Sequence, residues 1–595
     1  MHHCNFLRCV LKWLQLQLFQ GGIILLRLER YIRPYLGYIA LTMLIKFAGT
    51  AFELLIPYFM EIMLDDKVPA GNVQDIYLYG GLMLLCAAGC LAGNIIANRM
   101  SAFSSGRITK QLRHDLFAKL QNLSASQLDE LTVPSAESRL TSDTYNVNQL
   151  LARVQRLGIR APILLIGGIC MTLSMDPVLA LVLIGLLPII AVVVYFVTKT
   201  SVPLYTKQQG VLDRVVRTVQ ENITGIRVIK ALSKTEYEKQ RFHQTNSDLT
   251  AVDMKAGFIT GITNPVSSLT LNLGLTLVVV IGAFRVNSGA IRSGVIVAFL
   301  QYFTMILNAM LGITRIFVMW SKGEASANRV ADVLATEDDL MVQPDEEAKP
   351  NAPHIEFENV AFSYTGIGKN IENLSFTLEH GQTLGILGPT GSGKSTILNL
   401  LLRLYDPDSG TVYIDGRDVK TIPYDELRSK FGVVFQNDFL AEGTLGDNIR
   451  FFRDVSEESV KLAAQSAQAS FIADKGGLDA EVVVRGNNLS GGQKQRLLIA
   501  RALAANPEIL ILDDASSALD YQTDSNLRKA LRTNFRHTTT VLVAQRVSSL
   551  RHADLILVLD DGKVIGAGNH DTLMETCDEY RIIANTQMGD GREAV

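Results

Sequence analysis

Six apolar stretches fill the first half of this chain, at 36–62, 76–98, 158–175, 178–198, 262–284 and 291–318. A helix needs about 20 apolar residues to cross the hydrocarbon core of a bilayer. The third stretch is shorter, but Asp176-Pro177 makes a tight turn between it and the fourth. The pattern predicts six transmembrane helices and excludes a wholly soluble protein. Composition agrees, with 48% of the 595 residues hydrophobic and 19% charged. That balance fits a membrane protein carrying a soluble domain. A formal net charge of -3 gives no basis for nucleic-acid binding. The cysteines, Cys4, Cys9, Cys86, Cys90, Cys170 and Cys577, show no zinc-type spacing and no disulfide framework. Cys86 and Cys90, four apart in an apolar run, are expected to pack on one helix face.

Loop charges orient the helices. The segment between the second and third carries Arg107, Lys110, Arg113, Lys119 and Arg139, and the segment between the fourth and fifth is more basic still. The first outer loop holds Asp65, Asp66 and Asp75 against Lys67. Positive charge stays inside, so both termini are expected in the cytoplasm, with the membrane helices continuing well beyond the bilayer. Residues 1–30 form an N-terminal extension. Within it, 5–28 is apolar but interrupted by Arg8, Lys12, Gln15, Gln17 and Gln20, and lacks a cleavage site. It reads either as an amphipathic helix on the membrane or as an extension with little role. Residues 31–321 form the six-helix domain, and 322–353 read as an acidic linker containing Glu337, Asp338, Asp339, Asp345, Glu346 and Glu347. From 354 to 595, strands and helices alternate in an α/β pattern.

Gly388-Pro389-Thr390-Gly391-Ser392-Gly393-Lys394-Ser395 matches a phosphate-binding loop, with a strand at Thr383–Leu387 before it and a helix at Thr396–Arg403 after it. The glycines let backbone N–H groups turn toward phosphate oxygens at a helix N-terminus. Lys394 is expected to reach the β/γ-phosphates and Ser395 to bind Mg²⁺. Asp513 ends the aliphatic run Ile509–Leu512, as a buried parallel strand would, and so places a carboxylate beside the metal. Tyr364, on the first strand, either stacks on adenine or packs on the sheet.

These motifs resemble the ABC transporter superfamily, in particular exporter-type half-transporters. The likeness covers the chain from about residue 30 onward. Leu489-Ser490-Gly491-Gly492-Gln493 matches the family signature, Gln436 its Q-loop glutamine, and Ser517-Ala518-Leu519-Asp520 its D-loop. The resemblance implies an α-helical transmembrane domain of six long helices fused to an α/β P-loop ATPase domain. It also implies that two such domains pair head to tail around ATP and Mg²⁺. The nucleotide would then meet Tyr364, Gly388 to Thr396, and, across the dimer, Ser490, Gly491, Gly492, Gln493 and Asp520. Ser395, Gln436 and Asp513 would hold the metal. Coupling helices would lie near Arg139–Asn148 and Gly225–Leu232. Just before the signature, Val482-Val483-Val484-Arg485-Gly486 departs from the glutamate-containing stretch that often stands there.

Two further departures concern hydrolysis. The family's catalytic glutamate is here Asp514, and its switch histidine is Gln545. Aspartate is one methylene shorter, so its carboxylate retreats by roughly 1.5 Å, and misplacement of about 1 Å can cost on the order of 100-fold. Gln545 can hydrogen-bond but cannot become cationic. Both changes touch hydrolysis and neither touches binding. The pattern resembles the degenerate-site subunit of heterodimeric multidrug exporters, which implies a second, related half-transporter chain as partner. A homodimer that hydrolyses with Asp514 is the alternative. Expected substrates are amphipathic small molecules leaving the cytoplasm or inner leaflet across a bacterial inner membrane, with lipid or peptide as the alternative cargo. Glu53, deep in the first helix, either attracts a cationic substrate or pairs with Lys46 or another polar group. Met305, Asn308 and Met310 either line a cavity or pack.

Overall fold

The computed structural model describes residues 25–344, 348–366, 368–436 and 439–588. The segment 5–28, read as either an amphipathic helix or an extension with little role, falls almost wholly outside them. Two compact units result. The first comprises Met1–Gln121 and Pro134–Thr336; the second comprises Asn122–Val133 and Glu337–Val595.

Each apolar stretch becomes a helix of the first unit: α1 (Leu36–Ile62), α2 (Val73–Asn122), α4 (Thr144–Met175), α5 (Pro177–Thr224), α8 (Thr263–Asn287) and α9 (Ser293–Ala335). Among the described residues, five of these regions are long and apolar enough to cross a membrane, while α5 contributes the shorter apolar piece Pro177–Ile189. At 1.5 Å per residue, the 50-residue α2 runs about 75 Å, far beyond a hydrocarbon core of about 30 Å. Large apolar side chains such as Leu84, Leu91 and Phe284 are exposed on these helices, as lipid-facing surfaces require.

Polar residues appear where helices start or turn. Asp176 caps α5, accepting from Leu179 N–H at 2.8 Å, and Pro177 supplies the preset first position. Its other oxygen takes Arg285 Nη2 at 2.6 Å, pinning the α4–α5 turn to α8. Asp65, buried in the first outer loop, accepts the Gly294 N–H at 2.6 Å and the Val295 N–H at 3.2 Å at the start of α9. Cys86 is buried and Cys90 half-buried on α2, where Cys90 Sγ accepts from Asn94. Glu53 is held by Arg160 of α4 at 2.8 Å, whereas Lys46 donates to Asn94 of α2. The cross-helix partner of Glu53 is thus an arginine, not Lys46.

Two expected boundaries change. The linker does not begin at 322, because α9 stays helical to Ala335. The remaining segment is tied to the second unit: Gln343 N–H donates to Lys420 O at 2.8 Å, and Arg403 Nη2 to Met341 O at 2.8 Å. The stretch Arg139–Asn148 is a π-turn running straight into α4 rather than a separate coupling helix. A short helix occurs earlier instead: α3 (Ala125–Leu131), started by a reciprocal capping box between Ser124 and Gln127 and grouped with the second unit. The second expected position does hold a short helix, α6 (Ile226–Ala231), between α5 and α7 (Thr235–Gly261).

The second unit stacks two sheets. Strands β1 (Ile355–Phe362), β2 (Ile371–Leu378), β4 (Ser409–Ile414) and β5 (Arg417–Asp418) form an antiparallel sheet in the order β2-β1-β4-β5. The larger sheet runs β12-β11-β3-β10-β9-β6, from β3 (Thr383–Leu387), β6 (Phe431–Val434), β9 (Ile509–Asp513), β10 (Thr539–Val543), β11 (Leu555–Asp560) and β12 (Lys563–Gly568). All its pairings are parallel except β11–β12. Every residue of β9 is buried, which explains its unbroken aliphatic run. A two-stranded ladder, β7 (Gly443–Thr444) with β8 (Glu481–Val482), lies outside both sheets. Ligands of open α/β sheets bind beyond the carboxyl ends of the parallel strands, and β3, β9 and β10 end together there.

Candidate nucleotide site

Helix α10 (Lys394–Leu401) follows β3 and starts two residues earlier than expected, so Lys394 and Ser395 occupy its first turn. Gly391 and Gly393 adopt φ of +87° and +101°, a conformation that side chains resist. A Cβ on Gly393 would meet Ile371 Cδ1 at 2.6 Å and Asn370 O at 2.8 Å, and one on Gly388 would meet Leu559 O at 2.4 Å. The loop is therefore glycine because neighbouring chain presses against it. At Gly391 nothing lies within 4 Å of an added Cβ, so the loop is open on that side. Lys394 Nζ donates to Gly388 O at 2.9 Å and Pro389 O at 2.7 Å, folded along its own loop. Pro389, Thr390 and Ser392 complete the turn. Ser392 Oγ is buried without a protein partner, and Thr396 is buried on the inner face of α10.

Asp513 and Ser395 meet as the motif requires, with Ser395 Oγ 3.4 Å from Asp513 Oδ2. Burial pushes the Asp513 carboxyl above its usual range, opposed by the Ser395 hydroxyl, by Lys394 and by the Gln436 main-chain N–H, while Asp514 adds to the rise. Burial likewise lowers Lys394, against the pull of both aspartates. This donor set, a hydroxyl and a carboxylate beside an ammonium at a helix N-terminus, suits Mg²⁺ and the phosphates it accompanies. When bound, the ion would neutralise phosphate charge. Gln436 follows β6 with an exposed side chain, consistent with a ligand role from the loop.

Tyr364 stands at the rim. Its ring packs edge-on against Phe362 and Tyr405, with centroids at 4.8 Å and 5.0 Å, and its hydroxyl accepts from Asn399 of α10. The residue remains 43% exposed, so its packing leaves surface that a base could meet.

The two unusual residues touch. Gln545 Nε2 lies 3.3 Å from Asp514 Oδ2. Asp514 sits at φ +48°, a left-handed conformation that aspartate tolerates better than most residues, and its N–H donates to Val543 O at 3.0 Å. Burial raises its pKa, and Lys394 and Arg546 oppose that rise. A cavity of about 530 Å³ opens here, lined by Asp514, Ser517, Gln545, Arg546 and Gln587. Gln587, on α13 (Asp578–Met588), is a residue that motif reading missed. Its Nε2 donates to Gln545 O and its Oε1 accepts from Val547 N–H, each at 2.8 Å, clamping the loop from both sides. No sequence motif marks it, since the contact spans about 40 residues.

The signature residues start α11 (Gly491–Leu503). Ser490 Oγ accepts the Gln493 N–H at 3.4 Å, and Gln493 Oε1 accepts the Ser490 N–H at 3.0 Å. The cap places Gly491 and Gly492 in the first turn, where backbone N–H groups have no partner within the helix. Gln495, also missed, bonds the D-loop through the Ala518 N–H at 2.9 Å and Ser517 Oγ at 3.0 Å. Asp520 caps its own helix, α12 (Tyr521–Asn534), through the Thr523 N–H at 2.9 Å and Thr523 hydroxyl at 2.7 Å.

Family models described as the ABC transporter transmembrane region and as ABC transporter match residues 39–310 and 371–517. An uncharacterized ABC transporter ATP-binding protein of Mycobacterium bovis is 32% identical over 580 residues, covering 95% of this chain and 98% of the relative. A counterpart in Bacillus subtilis, also uncharacterized, is 33% identical over 569 residues, covering 95% and 99%. A solved structure of a bacterial Atm1-family ABC exporter with ATP bound superposes with a TM-score of 0.77 at 25% identity, covering 94% of this chain and 99% of that one. The chain belongs to the ABC transporter family and has the fold of an exporter-type half-transporter.

Proposed function

From this family membership, we propose that the chain is one half of a heterodimeric ATP-driven exporter in which its own nucleotide site is degenerate. The carrying observation is the pair Asp514 and Gln545: the two hydrolytic positions hold a shortened acid and an amide, 3.3 Å apart, beside a complete phosphate loop. A positioned base typically contributes about 10²–10⁴-fold, and an acid that is short and tied to an amide supplies less. The intact signature, Ser490 to Gln493, would complete the faster site built on a related partner chain. Tyr364, Gly388 to Thr396 and Asp513 would retain ATP with Mg²⁺, helped by Gln436, while Asp520 supports the dimer face by capping α12.

The cargo would be an amphipathic small molecule, taken from the cytoplasm or inner leaflet across a bacterial cytoplasmic membrane. An open groove of about 720 Å³ between α8 and α9 supports this, lined by aliphatic residues with Asn272, Thr276, Gln301, Thr304 and Met305. A mostly apolar wall with a few polar groups suits such molecules. Met310 packs in an apolar cluster instead. Because Glu53 is paired with Arg160, it gives little support to a preference for cations.

The test is ATP turnover by the chain alone in lipid nanodiscs, with nucleotide binding confirmed, against turnover after co-expression with a related half-transporter. Binding without appreciable turnover alone, and brisk turnover in the mixed dimer, is the expected result. Brisk, substrate-stimulated turnover by the chain alone would make it a homodimeric exporter and end the proposal.

A further inference from the structure

The parallel strands have a second end. Opposite the nucleotide loops, where β3, β6, β9 and β10 begin, three ligand-type side chains converge: His354 just before β1, His380 in the turn after β2, and Asp415 in the turn after β4. Their ligating atoms lie within 4.8 Å of one another. His380 Nε2 is 3.0 Å and His354 Nε2 is 3.9 Å from the same oxygen, Asp415 Oδ1.

The cluster has the features of a built site. His354 is fully buried, and its Nε2 has no hydrogen-bond partner although it faces the carboxylate. Its other nitrogen, Nδ1, is 2.7 Å from Thr539 Oγ1, at the start of β10. That hydroxyl oxygen also accepts the Gly381 N–H at 2.9 Å, so it is fixed by the turn carrying His380. In the tautomer with its proton on Nδ1, His354 donates to that hydroxyl and Nε2 keeps a bare lone pair; such a second contact orients imidazoles that bind metals. Lys430 holds the remaining oxygen of Asp415, Oδ2, at 3.1 Å and is itself bound to Glu508 at 2.6 Å, which keeps Oδ1 turned toward the two rings.

We propose that His354, His380 and Asp415 bind a divalent first-row transition-metal ion, zinc being the natural probe, at the end of the nucleotide domain opposite its ATP site. Two imidazoles and a carboxylate form a three-ligand set that zinc accepts, with water as the fourth ligand. The rings are now stacked, 3.8 Å apart and 13° from parallel, so their lone pairs run side by side. Capture requires the His380 ring to tilt out of the stack so that its lone pair meets that of His354 at one point beside Oδ1. His380 has that freedom, being 63% exposed, whereas His354 is fixed. The ion would join three strand ends of the antiparallel sheet, those of β1, β2 and β4, and stabilise the folded domain by mass action. The site is independent of whether the partner is a like or unlike chain.

The experiment is equilibrium zinc binding and thermal unfolding of the full chain in nanodiscs. His2, His3 and Cys4 are replaced by alanine beforehand, so that the N-terminal triplet cannot bind the probe. The expected result is a single saturable zinc per chain and a higher melting temperature with zinc. His380→Gln, at an exposed position that should not disturb folding, abolishes both while leaving ATP binding intact. Thr539→Val weakens zinc by about 10-fold. Absence of saturable zinc in the parent, or retention of full binding by His380→Gln, overturns the proposal.

Discussion

At the scale of single residues, the proposed degenerate site turns on one methylene and one ring. Gln545 Nε2 and Asp514 Oδ2 lie within hydrogen-bond reach of each other, at 3.3 Å. Restoring the family pair, Asp514→Glu with Gln545→His, should raise ATP turnover of the chain alone by about 10²-fold or more. ATP affinity should stay unchanged, since Lys394 and Ser395 are untouched. Malachite-green phosphate release with parallel nucleotide-binding curves would check this; an equal loss of binding would mean that the substitutions damage the loop. Lys394→Ala, by contrast, should abolish nucleotide binding at this chain's own loop, read by photo-labelling with an azido nucleotide. His354 offers a pH test. Burial first, and the neighbouring His380, lower its pKa to about 4 from 6.5, with Lys430 acting in the same sense and Asp415 and Glu508 opposing. The folded chain therefore binds fewer protons than the unfolded chain between about pH 4 and 6.5. Stability from this group is complete above pH 6.5 and falls as pH drops through that window, by on the order of 2–3 kcal/mol. Urea unfolding in chelator-containing buffer should show that slope, and His354→Gln should flatten it.

At the scale of elements, helix starts carry much of the functional geometry. The Ser490–Gln493 box sets the beginning of α11 and, in the proposed dimer, the amides that would face an opposing nucleotide. Ser490→Ala should cost about 1 kcal/mol of domain stability. In the mixed dimer it should also lower turnover more than a stability loss of that size explains, a split that thermal unfolding and steady-state kinetics would separate. Gln587 shows the same logic from a distant helix. Because α13 clamps the loop on either side of Gln545, Gln587→Ala should destabilise the domain by about 1 kcal/mol and loosen that loop. Faster amide exchange at Val547 with unchanged exchange in β9 is the expected signature. In the membrane unit, Asp176 both caps α5 and holds Arg285, so the single residue between α4 and α5 anchors the turn.

At the scale of the whole molecule, the sequence by itself determined the class of each half. Six apolar stretches, most of bilayer length, permit little but spanning helices, because an unpaired backbone is too costly in hydrocarbon. The order of phosphate loop, glutamine, signature, magnesium aspartate and D-loop likewise determined the nucleotide domain, since each motif is local and its chemistry follows from spacing. Tertiary structure decided what local patterns do not encode. The acidic run suggested a linker from 322, yet α9 continues to Ala335 past Gly323, and Arg329 ties it to Asp143 ahead of α4 at 2.9 Å. The first short cytoplasmic helix sits at Ala125–Leu131, not at Arg139–Asn148, because the Ser124–Gln127 box starts it and the later stretch runs on into α4. Arg160 as the partner of Glu53, Gln587 as the clamp on Gln545, and the meeting of His354, His380 and Asp415 were all unreadable beforehand. Each joins residues about 25 to 110 positions apart, and only packing of separate helices and sheets brings such pairs within hydrogen-bond or ligand distance.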